Sequence, residues 1–156
     1  MGHLNDKVFK IQKKVIRIIT KSKYNAHTEP LFKKMNILKY TDLVKLKAIK
    51  FYYKYCNNQL PEYFKSFILE PQQHNYNTRQ NNNIRTFHTK TWAARNCLRH
   101  HLPEIINSFP SVHNIREKVH THCLDGFTQY VKKSLLSYYS NECQIVNCYI
   151  CSNHQS

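Results

Sequence analysis

The sequence predicts a mainly α protein: several short helices in two small subregions, joined by an Asn/Gln-rich linker and followed by a short Cys/His-rich tail. Three observations carry that expectation. Apolar residues recur at three- and four-residue steps in separate stretches, the spacing of one helical face. Residues 72–83 hold eight Asn or Gln among twelve and no aliphatic side chain, too little apolar surface to offset the entropy of ordering. Three cysteines and a histidine crowd into residues 143–154. The expected organisation is a basic helical region over 1–70, a flexible linker over 71–88, a second helical region over 89–140 and a Cys/His tail over 141–156.

In chain order, Leu4 to Ser22 reads as the first helix. Val8, Ile11, Val15, Ile18 and Ile19 form an apolar stripe able to pack, and Lys7, Lys10, Lys14, Arg17 and Lys21 recur along another face. Thr28, Glu29 and Pro30 read as a helix start with Thr28 as N-cap, running to about Met35. A further start at Thr41 and Asp42 leads through Leu43, Leu46, Ile49 and Tyr53 to a break at Asn57 and Asn58. Leu60 and Pro61 open a short helical turn through Phe64 and Phe67. Beyond the linker, Thr89 to His101 is compatible with a helix that ends before Pro103. Pro103 to Ile106 suggests a new turn, stopped by Phe109 and Pro110. Ile115 to Val119 fits a strand or a helix equally. The last strong element spans Leu124 to Tyr139, with Leu124, Phe127, Tyr130, Val131, Ser134, Leu135 and Tyr138 as its stripe.

Composition then limits the chemistry. The 156 residues carry 24 Lys or Arg against 9 Asp or Glu, a formal net charge of +15. The surplus is uneven: residues 1–70 hold 15 basic and 5 acidic residues, residues 71–156 hold 9 and 4. Such a charge favours a polyanionic partner, nucleic acid or an anionic surface, over a neutral one; a lysine-rich solvated face is the plainer alternative. Glycine occurs only at Gly2 and Gly126, which rules out a dinucleotide-binding loop, a phosphate loop and a nucleophile elbow. Asp6, Asp42 and Asp125 are scattered, so no aspartate pair stands ready for a two-metal centre, and no HExxH occurs. The chain is expected to be non-catalytic. The opening MGHLND lacks the basic start and apolar run of a signal peptide, and no apolar stretch approaches the ~20 residues of a membrane span. Six cysteines without a secretory signal point to a reducing compartment, hence an intracellular protein of the cytoplasm or nucleus with no membrane partner.

The most specific local signal is in the tail. Cys143, Cys148, Cys151 and His154 form C-x4-C-x2-C-x2-H, in which the closer thiolate pair can share one tetrahedral ion and the other two complete a zinc shell. The alternatives are His120, His122 or Cys123 as donors, or reduced cysteines packing beside Ile145 and Ile150. If zinc is the occupant, elemental analysis after chelator-free purification should return about one zinc per chain; no metal, with all six thiols titratable in the native protein, would exclude it. His100, His101, Cys56 and Cys97 carry no local catalytic signature. The run Phe51, Tyr52, Tyr53, Lys54, Tyr55 can stack bases between lysines, but a helix with an aromatic core side is the preferred reading. Around the linker, Arg79 and Arg85 suit a basic arm that orders on a polyanion.

Several strings, in order, are similar to a recurrent segment of non-LTR retrotransposon polyproteins. They are IQKKVIRII at Ile11–Ile19, YNAHTEPLF at Tyr24–Phe32, MNIL at Met35–Leu38, Asp42 with Leu43, FYYK at Phe51–Lys54 and Leu60 with Pro61. HNYNTR at His74–Arg79, LDGF at Leu124–Phe127 and NCYIC at Asn147–Cys151 continue the match over essentially the whole chain. In that family these strings follow the reverse transcriptase palm. The resemblance therefore implies a thumb-like, nucleic-acid-contacting C-terminal region, without the palm aspartates or an endonuclease, whose natural partner is an upstream polymerase domain. Lys10, Lys13, Lys14, Arg17 and Lys21 are the expected phosphate contacts, with Arg79 and Arg85 from the linker, and the partner would be RNA or DNA. The competing expectation is a helical structural or interaction protein whose surface is basic without a nucleic-acid role.

Overall fold

Helix ends as well as helix interiors determine how this glycine-poor chain folds. In the computed structural model, residues 2–66, 69, 83–86, 88–95, 97–109 and 112–140 are described. They form α1 (Gly2–Ile19), α2 (Thr28–Lys34), α3 (Tyr40–Cys56), a 3-10 turn (Glu62–Ser66), α4 (Trp92–Arg95), α5 (Leu98–Ser108), α6 (Val112–Thr121) and α7 (Leu124–Ser137). The mainly α expectation holds, and among the described residues no strand is present. The stretch Ile115 to Val119, open between strand and helix in the sequence, is helical within α6.

The first three helices stop in the same way. Lys21, Asn36 and Asn58 take φ of 52°, 55° and 54°, the left-handed conformation normally given to glycine. At each, the next residue donates its N–H five residues back: Ser22 to Arg17 O, Ile37 to Phe32 O and Gln59 to Lys54 O, at 2.9, 3.0 and 2.8 Å. These bonds satisfy carbonyls that the helix leaves open and turn the chain sharply. Asn58 thus ends α3 as the sequence predicted. Lys21 has no such side-chain aptitude for the left-handed region, so α1 ends under mild strain.

Two compact units result, residues 1–44 with 129–156 and residues 45–128, with the boundary falling inside α3 and inside α7. In the first unit, Phe9 of α1 stacks on fully buried Phe32 of α2, ring centroids 6.4 Å apart. Gln12 fixes the rotation of α1: its Nε2 donates to Leu38 O and its Oε1 accepts from Tyr40 N, both at 2.8 Å. This arrangement corrects the expected packing stripe. Ile16 is buried, whereas Ile11, Val15, Ile18 and Ile19 are 61%, 46%, 75% and 54% exposed. Adjacent helical residues differ by about 100° in direction, so anchoring Phe9, Gln12 and Ile16 inward turns Val15 and its neighbours outward.

Past the end of α7, Tyr139 closes this unit. Its hydroxyl donates to the buried Asp42 carboxylate at 2.6 Å and accepts from Lys39 N at 2.9 Å. Its carbonyl accepts from Lys33 Nζ at 2.6 Å, and Lys39 Nζ lies 4.4 Å from its ring centroid while pairing with Glu29 at 2.8 Å. Burial, reinforced by the neighbouring carboxylate, pushes the Tyr139 phenol well above its ordinary range, so it remains a donor even in alkaline solution that would ionise an exposed tyrosine. The sequence had placed Tyr138 on the stripe instead, but Tyr138 is exposed and Tyr139 buried. The periodicity stops applying because α7 ends at Ser137. Thr28 also differs from expectation: it is the buried first residue of α2, and extended His27 is the N-cap without a side-chain cap bond.

The second unit is built on the aromatic run. Tyr52 and Tyr53 are buried, in keeping with the core reading of that segment, and Lys54 is exposed. Tyr53 packs on fully buried Phe127 with centroids 5.0 Å apart, and its hydroxyl donates to His122 O at 2.8 Å. Asn57 donates to Val119 O at 3.1 Å. Pro103 does not end a helix but sits inside α5. A proline there removes one backbone bond and costs about 3 kcal/mol; its full burial beside Leu102, Ile105 and Ile106 recovers part of that loss. Within the expected linker, Ile84 is buried, and the Asn107 side chain bonds both its N–H (2.9 Å) and its carbonyl (2.8 Å).

Candidate functional site

The cations of the first unit divide by what they touch. Lys33 and Lys39 are committed to Tyr139 and Glu29. Lys13 is half-buried, its Nζ 4.3 Å from the Phe9 ring centroid, an attraction of an ammonium to a ring face. Lys10, Lys14 and Lys21 are exposed, and among the described residues none of them forms an ion pair. Arg17 is half-buried, its Nε donating to Ala26 O at 2.9 Å. That bond fixes the guanidinium and leaves its other donors for a ligand.

Lys10, Lys14 and Arg17 fall at steps of four and three residues along one side of α1, and Lys21 follows just past the helix end, in the left-handed turn. Lys14, Arg17 and Lys21 line a groove of about 590 Å³ together with Ile18, Ser22 and Tyr24. Lys21 and Ser22 of the lining belong to the left-handed turn that ends the helix. Thr20 Oγ1 donates to Ile16 O at 2.8 Å and shares a 2.8 Å hydrogen bond with Ser22 Oγ, holding the turn against the helix end. Tyr24 is 92% exposed. Such a site can hold anionic oxygens by charge-assisted bonds while presenting aromatic and aliphatic surface beside them.

Sequence reasoning missed Tyr24 and assigned Ile18 to the packing stripe. The available signal was an aromatic residue just past the basic helix, outside every apolar period. Of the other expected contacts, Arg85 is exposed in the second unit, and Arg79 lies outside the described residues. Cys143, Cys148, Cys151 and His154 also lie outside them. Among the described residues, no group of three or more His, Cys, Asp or Glu is placed to hold a metal ion, and no helix is long and apolar enough to cross a membrane.

The second unit holds a smaller cluster. The Cys56 thiol is pushed up by burial, against the opposing effect of a hydrogen bond with Tyr52 and the charge of Arg116. A thiol kept protonated is a poor nucleophile, and Cys56 behaves as a small packed side chain. Comparison with known proteins finds no match: no family model, no curated protein and no solved structure aligns significantly with this chain.

Proposed function

We propose that this chain is a non-catalytic, helical nucleic-acid-binding module, like the C-terminal region of a non-LTR retrotransposon reverse transcriptase, that holds RNA or DNA through the basic side of α1. The observation that carries the reading is the set of exposed, unpaired cations Lys10, Lys14 and Lys21, with Arg17 anchored among them. A cation that already neutralises a carboxylate gains little from a phosphate; these three have no such partner among the described residues. The net charge of +15 supports the same partner by raising its local concentration and its rate of encounter.

The test is a salt titration of binding to RNA and to duplex DNA. Each duplex phosphate contact adds about 0.9 to the slope of log affinity against log salt. Engagement of Lys10, Lys14 and Lys21 alone therefore gives a slope of roughly 3. Absence of binding to either nucleic acid at about 50 mM salt would overturn the reading. A helical interaction protein is the second reading, favoured by the exposed Ile11, Val15, Ile18 and Ile19. It predicts association with little salt dependence.

A further inference from the structure

We infer that the groove at the C-terminal end of α1 takes an unpaired nucleobase and its flanking phosphates, which makes the protein a reader of single-stranded rather than duplex nucleic acid. This rests on the nucleic-acid reading above and specifies its ligand.

The groove combines two chemistries that a duplex cannot use together. Lys14, Arg17 and Lys21 supply cations, and Ser22, whose hydroxyl is bonded to Thr20 Oγ1, completes the rim. Ile18 and Tyr24 line the same groove and are 75% and 92% exposed, so a large aromatic and a β-branched aliphatic side chain are both left in water. Phosphate recognition needs neither. A stacked base pair offers its edges and backbone, not its faces, whereas an unpaired base presents two flat apolar faces that can lie on a ring and against an aliphatic wall. At about 590 Å³ the groove has room for a nucleotide.

The frame around it is set before any ligand arrives. Arg17 is fastened to Ala26 O, Ser22 N–H to Arg17 O at 2.9 Å, and the Thr20 and Ser22 hydroxyls to each other. A site held this way loses less freedom on binding than one made of loose lysines. The alternative occupant, an anionic lipid surface, would engage the whole aliphatic sector of α1 and not depend on one tyrosine ring.

The experiment compares fluorescence anisotropy of the full chain with a labelled single strand of about 12 nucleotides and with the same sequence as a duplex, at about 50 mM salt. The single strand should bind more tightly. Tyr24→Ala should weaken it roughly 5- to 150-fold, the range for loss of one stacked base, and Ile18→Ala less; both should leave duplex affinity unchanged. Tyr24→Phe, which keeps the ring, should behave as the parent. Photo-cross-linking of an iodouridine-substituted strand to the unaltered protein should mark Tyr24, a readout independent of any variant. The inference is overturned if both nucleic acids bind and Tyr24→Ala changes neither, if cross-links form only elsewhere, or if the two alanine variants weaken binding to phosphatidylserine vesicles but not to the single strand. The first of those results leaves the basic side of α1 as a phosphate-binding surface, whereas no binding of either nucleic acid removes that reading as well.

Discussion

Phe127→Ala is expected to lower the unfolding free energy by about 3–5 kcal/mol, the usual loss for emptying a buried phenylalanine site. The side chain is fully buried and its ring packs at 5.0 Å on Tyr53, which a hydroxyl bond to His122 O holds in place. The Tyr53 hydroxyl stays bonded to His122 O, which keeps the ring from swinging into the space and moves the cost toward the upper end. Domains of this size are held by only about 5–15 kcal/mol, so the variant should melt far earlier or fail to fold. Urea denaturation followed by circular dichroism measures it. Tyr53→Phe is the matched control: it keeps the ring contact, loses one hydrogen bond and should cost about 0.5–1.5 kcal/mol. Equal losses in the two variants would show that the buried Phe127 ring contributes no more than the single Tyr53 hydroxyl bond.

Replacing Lys10, Lys14 and Lys21 together by Gln should reduce nucleic-acid affinity about tenfold or more at low salt and lower the duplex salt slope by roughly 2–3. All three side chains are exposed and unpaired among the described residues, so unfolding should shift by no more than about 0.5 kcal/mol per site. Lys33→Gln and Lys39→Gln should show the opposite pattern. Their ammonium groups hold Tyr139 and Glu29, so their loss should lower the melting temperature with the salt slope intact. A slope that falls equally for both sets would mean that bulk charge, not position on α1, governs binding.

Period and helix-stop chemistry made the helical class legible, because both are local. Asn58 ends α3 through its own aptitude for the left-handed turn, and the Phe51–Tyr55 run could be read as core from its place in a helix with lysines opposite. What could not be read depended on distant partners. The stripe Ile11, Val15, Ile18 and Ile19 has faultless spacing, yet Phe9 and Gln12 settle which way α1 faces, through Phe32, Leu38 and Tyr40. Tyr138 and Tyr139 carry identical side chains, and distant partners, the Asp42 carboxylate and the Lys39 N–H, receive the second of them. Pro103 breaks a helix by rule but is retained by a buried surroundings that local spacing does not reveal. The basic side of the candidate site was visible as a charge period. Its apolar side was not, because the groove exists only once the chain has turned at Lys21 and brought Tyr24 beside the helix end.

The clasp at Tyr139 also bears on synthesis. The first unit draws on residues 1–44 and on residues from 129 onward, so α1 and α2 leave the ribosome long before the tyrosine that closes over them. At about 5–20 residues per second, the intervening segment takes on the order of 10 s to appear. Throughout that interval Phe32 and Leu38 have no completed core, and the second unit, residues 45–128, is finished first. The order of assembly is therefore the reverse of the order of translation for these helices, and a nascent chain stalled between the two would leave the apolar faces of α1 and α2 uncovered.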